Sequence, residues 1–123
     1  MQNEILPLKN LAHIGDAVWE VFVRDFVITK TSNSKKMHQM TTDRVNANFQ
    51  KEMLDSIESY LDENEKDILR RARNLSIPVA RRSIQNAYRY ATAFEVLIGY
   101  WYLYEKERLK FFYDLFLQTK YFN

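Results

Sequence analysis

No cysteine occurs in the 123 residues, and glycine and proline occur only twice each. Without cysteine there is no disulfide framework, no thiolate nucleophile and no cysteine-based zinc site, a pattern that fits the reducing cytoplasm. An all-β chain of this size needs many turn formers, so their scarcity predicts an all-α protein. The amino-terminal MQNEILPLKN has no charged segment leading into an apolar core, and no signal peptide is expected. A membrane span is not expected either. The longest apolar stretch, Tyr90 to Tyr104, falls short of the ~18 residues a span requires and carries Glu95 near its centre.

What is present is a composition of 46% apolar and 28% charged residues, that of an ordered globular chain. A single domain over 1–123 is expected, burying between ~60% and ~70% of its unfolded surface. Apolar residues Leu11, Ile14, Val18, Val21 and Phe22 recur at helical spacing and predict a first helix over about Leu8 to Val27, with Pro7 near its start. The polar run Thr29 to Lys36 reads as a loop, with Asn33 or Ser34 capping the next helix. Thr42 or Asp43 is expected to cap a further one, whose inward stripe is Val45, Phe49, Met53, Leu54, Ile57 and Leu61. Asp62 opens a short helix with acids at its start and arginines at its end, as the helix dipole favours. Pro78 forces a break. The last long helix is expected from near Ser83 to about Glu105, followed by an aromatic-rich terminal helix.

Net charge is only +2, yet its distribution is uneven. Seven acids fall between Glu52 and Asp67, whereas the stretch from there to Glu95 holds no acid and six arginines: Arg70, Arg71, Arg73, Arg81, Arg82 and Arg89. Five of the six flank the segment Leu75 to Ala80, a placement from which long side chains can reach a phosphate backbone. Lys35, Lys36 and His38 form a smaller basic group. A basic face is often merely solvated; clustering beside a loop is what favours nucleic acid. The aromatic residues, at helical spacing, signal core and not a base-stacking platform, which favours duplex over single strands.

Glu95 is the only charged residue in the fifteen-residue stretch YATAFEVLIGYWYLY. An isolated buried carboxylate is too costly to leave uncompensated, so it must be paired, ligated to a cation or neutral. LAHIGDAVWEVFV, Leu11 to Val23, is a second apolar segment that carries Asp16 and, four residues on, Glu20. Two apolar helices with central acids suggest a shared polar pocket, and oxygen ligands suit a hard cation such as Mg2+. The plainer readings are a salt bridge from Glu95 to Arg89, a helix-face polar role for Asp16, and an i,i+4 bridge from Glu20 to Arg24.

These segments carry a resemblance. LAHIGDAVWEVFVR, Leu11 to Arg24, resembles the signature helix of the ribonuclease III superfamily, whose core reads roughly LEFLGDAVL. ATAFEVLIGYWYL, Ala91 to Leu103, resembles its second catalytic helix, roughly DAFEALIGAIYL, and the intervening MHQMTTDRVNANFQ is similar to a third family segment. RRARN at Arg70 to Asn74 and YRYATAFE at Tyr88 to Glu95 resemble the mini-ribonuclease III branch in particular. The resemblance implies the helical endonuclease-domain fold as a homodimer, without a separate double-stranded RNA-binding domain. It implies hydrolysis of double-stranded RNA with Mg2+ as cofactor, Mn2+ being a substitute, in the maturation of 23S ribosomal RNA precursors. A ribosomal protein that presents the substrate is a further candidate partner.

By residue, the resemblance makes Asp16 and Glu95 both catalytic residues and metal ligands; Glu20, from its spacing to Asp16 alone, is a spare acid. Two other family acids are missing: Ala12 and Thr92 stand in their places, which leaves the number of metal ions open. Lys35, Lys36, His38, Arg70, Arg71, Arg73, Arg81 and Arg82 are the candidates for RNA backbone contact. The alternative is a double-stranded RNA-binding protein that keeps the fold and has lost catalysis with those acids.

Overall fold

The computed structural model describes residues 4–75 and 85–123; Arg81, Arg82, the Pro78 break and the expected helix start near Ser83 lie outside them. The described residues form helices α1 (Leu8–Val27), α2 (Ser34–Val45), α3 (Ala47–Ile57), α4 (Glu63–Arg73), α5 (Gln85–Tyr104) and α6 (Lys106–Leu117), with short 3-10 turns at Glu58–Tyr60 and Lys120–Phe122. No strand occurs among them, and no helix is long and apolar enough to cross a membrane. The all-α expectation holds.

Two local boundaries differ from the sequence reading. The break after α2 falls at Asn46, not at Thr42 or Asp43, which lie inside that helix. The Asn46 carboxamide oxygen accepts from the Phe49 N–H at 2.9 Å, starting α3, while its NH2 donates to the carbonyls of Thr42 and Asp43, closing α2. One side chain thus satisfies orphan groups of both helix ends. Asp43, four residues from Gln39 on the same face, accepts its amide at 2.8 Å and stays helical. Lys35 and Lys36 likewise belong to α2, because Asn33 caps it by accepting from the Lys36 N–H.

α5 is the centre of the domain, with α1, α3, α4 and α6 packed around it and α2 laid against α1 and α3. From Ala93 to Trp101 every α5 residue is buried except Glu95, which is half-buried. A helix apolar on all sides is enclosed on all sides. The aromatic residues fill the space between helices: Trp19 packs edge-on against Phe94 and Phe116, and Trp101 stacks on Phe112 with centroids 4.2 Å apart. Glu65 pins α4 to this frame. It closes the capping box with Asp62, and it accepts from Trp101 Nε1 at 2.8 Å and from the Arg108 guanidinium. Burial pushes its carboxyl pKa up, but these donors outweigh that and hold it below the usual value.

Both glycines of the chain sit where α1 crosses α5. A Cβ on Gly15 would collide with the Glu95 carbonyl and stand 2.9 Å from the Gly99 nitrogen. A Cβ on Gly99 would collide with the Leu11 carbonyl and stand 3.0 Å from Ile14 Cγ2. Backbone lies on the far side of both contacts, so nothing flexible can move aside. Gly15→Ala and Gly99→Ala are each expected to cost about 3 kcal/mol or more by forcing the helices apart; denaturant unfolding that shows a change under about 0.5 kcal/mol would contradict this close crossing.

Candidate active site

The glycine crossing sets the residue after Gly15 beside the residue whose carbonyl Gly15 touches. Asp16, on the exposed side of α1, therefore meets Glu95 on α5. Their side chains share a cavity of about 490 Å³, lined also by Lys9, Ala12, His13, Ala72, Arg73, Leu75, Tyr88, Arg89 and Thr92. Ala12 and Thr92 thus face the same space as the two acids, each one helical turn from one of them.

Electrostatics make the pair unlike two surface carboxylates. Burial first, then the negative charge of Asp16 and a hydrogen bond with it, push the Glu95 carboxyl pKa from 4.5 up to about 8; the Gln50 amide pulls the other way. Two close acids in a low-dielectric site cannot both ionise without a compensating cation. Among the described residues there is no group of three or more His, Cys, Asp or Glu fit to hold a metal ion. The chemistry of the pair nonetheless suits a hard divalent cation: two oxygen ligands, an open cavity for retained waters, and a mutual repulsion that such a cation would relieve.

The remaining residues singled out from the sequence separate into those that border this cavity and those that do not. Arg73 borders it, stands 4.0 Å from Glu58 and packs its guanidinium over the Tyr90 ring. Arg70 and Arg71 lie on the same helix end, exposed and both bridged to Asp67. Such exposed pairs are worth little, so these arginines remain able to turn to a phosphate. Lys35, Lys36 and His38 are exposed on α2; His38 borders a different groove, with Arg24, Val27 and Met37. Glu20 does not line the acid cavity and bonds Arg24 at 2.7 Å, as its plainer reading had it. Arg89 donates to the Arg73 carbonyl at 3.3 Å and lines the cavity.

Sequence reasoning did not single out Lys9, Tyr88 or Gln50 as residues near the acids. Lys9 lies two turns before Asp16 on the same helix, a spacing that places both on one face. Gln50 carried a signal of its own: it occupies the inward stripe of α3, at the i, i+3, i+4, i+7 spacing with Met53, Leu54 and Ile57, where an apolar residue is expected.

The raised Glu95 pKa fixes a dependence of stability on pH. Between about pH 4.5 and 8 the folded protein keeps a proton that the unfolded chain has lost, so in the absence of divalent cation stability declines as pH rises through this window. The contribution is on the order of a few kcal/mol. Glu95→Gln, which is neutral throughout, is expected to match the parent near pH 5 and to melt higher than it at pH 8.5 in EDTA. Melting curves of the two that run parallel from pH 5 to 8.5 would contradict the buried, proton-bearing state of Glu95.

Comparison with known proteins accords with this arrangement. Residues 9–106 match the sequence profile of the Ribonuclease III domain. The chain is 39% identical to Mini-ribonuclease 3 of Gloeobacter violaceus over 89% of this chain and 81% of that one. It is 42% identical to Mini-ribonuclease 3 of Clostridium tetani over 81% and 69% respectively. A crystal structure of a Fusobacterium nucleatum protein superposes with a TM-score of 0.77 at 31% identity, covering 90% of this chain and 91% of the other. With both glycines, both central acids and helices α2 to α5 inside the matched span, the chain belongs to the ribonuclease III family, in its mini-ribonuclease 3 branch, and is an endoribonuclease.

Proposed function

We propose that this endoribonuclease cuts double-stranded RNA as a homodimer, with Asp16 and Glu95 holding Mg2+ or, in its place, Mn2+, and that its substrate is a 23S ribosomal RNA precursor, presented if need be by a ribosomal protein. The observation that carries the reading is the acid pair at the glycine crossing, flanked in one cavity by Lys9, Arg73 and Arg89. When bound, the cation supplies Lewis-acid polarisation of the phosphate and a water of lowered pKa. Asp16 and Glu95 bind it and fix its place at the helix crossing. Lys9 and Arg73 bind and orient the scissile region through its phosphate oxygens, opposing the charge that accumulates there. Arg70 and Arg71, one turn back along α4, extend that positive surface, and Arg81 and Arg82 belong to the same proposed set by sequence position. Lys35, Lys36 and His38 contribute a second contact for the RNA backbone.

Several features support the wider reading. An A-form duplex offers its phosphates and 2′-hydroxyls over a wide shallow groove, and cations give affinity there without reading bases. Dimerisation is supported by apolar side chains left in solvent on α1 and α5: Val21 is 58% exposed, Leu103 41% and Tyr102 37%. With Ile14, Ala17 and Val18, Val21 and Tyr102 line one groove, an unpartnered apolar surface suited to a second copy. A cytoplasmic setting fits a chain without cysteine.

Asp16→Asn and Glu95→Gln are each expected to lower the rate of cleavage of a double-stranded RNA in Mg2+ by at least about 100-fold, beyond the 10- to 100-fold typical of residues one step removed from a metal, while RNA binding persists. EDTA should abolish cutting by the parent. The competing reading, a non-catalytic duplex binder, draws on Ala12 and Thr92 in place of acids; binding by the pure parent protein with no metal-dependent cuts would establish it instead. For the basic surface, replacing Arg70 and Arg71 together with alanine is expected to reduce the slope of log K against log salt by about one per lost phosphate contact, alike for duplexes of different sequence. An unchanged slope would remove the end of α4 from the RNA interface.

A further inference from the structure

Two polar or charged side chains are buried among the described residues, and they differ in how they are satisfied. Glu65 has partners for both oxygens. Gln50, only 2% exposed, has none for its Nε2 among the described residues. Buried donors are seldom left unmatched, since the water they surrendered is not replaced. An aliphatic side chain would fill this place on the inward stripe of α3 without that cost. The Gln50 backbone is regular, its N–H donating to the Asn46 carbonyl at 3.1 Å, so no local distortion accounts for the orphaned amide. α3 packs against α5, and there the amide lies near enough to the Glu95 carboxyl to favour its charged form.

We propose that Gln50 is a positioning residue for Glu95, its Nε2 donating to the Glu95 carboxylate when a divalent cation is held, so that the carboxylate is fixed for the cation on one side and by the amide on the other. The inference rests on the reading of Asp16 and Glu95 as metal ligands. In that arrangement the amide, which lies near the carboxyl yet meets no full hydrogen-bond geometry in the cation-free protein, closes on it and holds it as a ligand. Gln50 touches neither RNA nor cation; it acts through Glu95. Partners of this kind orient ligating groups, and their removal typically weakens metal binding 10- to 100-fold.

The test is Mn2+ binding to the full chain in the absence of RNA, read by electron paramagnetic resonance, together with melting curves in EDTA. Gln50→Leu and Gln50→Met both remove the donor; Met, being flexible, serves where Leu packs poorly. The expected result is Mn2+ affinity lowered about 10- to 100-fold with a melting temperature at or above that of the parent. A purely structural glutamine would give the reverse, a lower melting temperature with Mn2+ affinity within twofold of the parent, and that result overturns the inference. Glu95→Gln separates the two levels. Loss of Mn2+ binding there, with none in the Gln50 variants, sinks only the role of Gln50; a parent protein that takes up no Mn2+ sinks the metal reading as well.

Discussion

The contact on which the rest depends is backbone against backbone: α1 and α5 cross where each presents a glycine to the other's main chain. Close approach of two helices needs the absence of Cβ on both sides, and this chain supplies both of its glycines to one crossing. Everything at the candidate site follows from it. Asp16 adjoins one glycine, Glu95 lies one turn before the other, and the crossing brings the two together without any bond between them having to hold it. The site is a consequence of packing geometry, with the aromatic core around Trp19 and Phe94 providing the stability that the acids themselves do not.

The acids work against the fold. Glu95 interrupts a helix that is otherwise enclosed, and burial first, with the nearby charge of Asp16 second, pushes its carboxyl pKa up to about 8. A hydrophobic residue there would stabilise the domain. Under the proposed function the tension has a use, because a site that repels itself when empty favours the ligand that cancels the repulsion. Cations on the cavity wall, Lys9 and Arg73 among them, face the negative charge of the acid pair, where Ala12 and Thr92 add none.

Glu65 shows the opposite treatment of a buried acid. Four donors, from Arg108, Trp101 and the Asp62 backbone, hold it charged and silent, locking α4 against α5 and α6. That lock fixes the helix that ends in Arg70, Arg71 and Arg73, the cations proposed to meet the RNA backbone. The same helix is fixed at its start by a fully satisfied carboxylate and presents cations at its end, where the dipole favours them. The two acids differ for a reason visible in their partners: Glu65 meets donors and holds the fold, whereas Glu95 meets another acid and is the one proposed to act.

The sequence by itself determined the all-α class, most helix boundaries, the inward stripes and the pairing of two lone acids as candidates, because helical periodicity, capping residues and a charge in an apolar run are local signals. It misplaced the α2–α3 break, since Thr42, Asp43 and Asn46 are all competent caps and only the assembled helices select among them. Glu20, one turn from Asp16, stood open as a spare acid or a partner of Arg24; the rotation of α1 against α5 turns Asp16 into the cavity and leaves Glu20 to Arg24. The run of six arginines looked like one patch, yet Asp67 bridges two of them while Arg73 borders the acid cavity. Gln50 was visible as a polar residue on an apolar stripe but had no meaning until α3 met α5. These were decided by the tertiary structure, because which side chains meet across a helix crossing depends on rotation and close approach, and no local pattern encodes either.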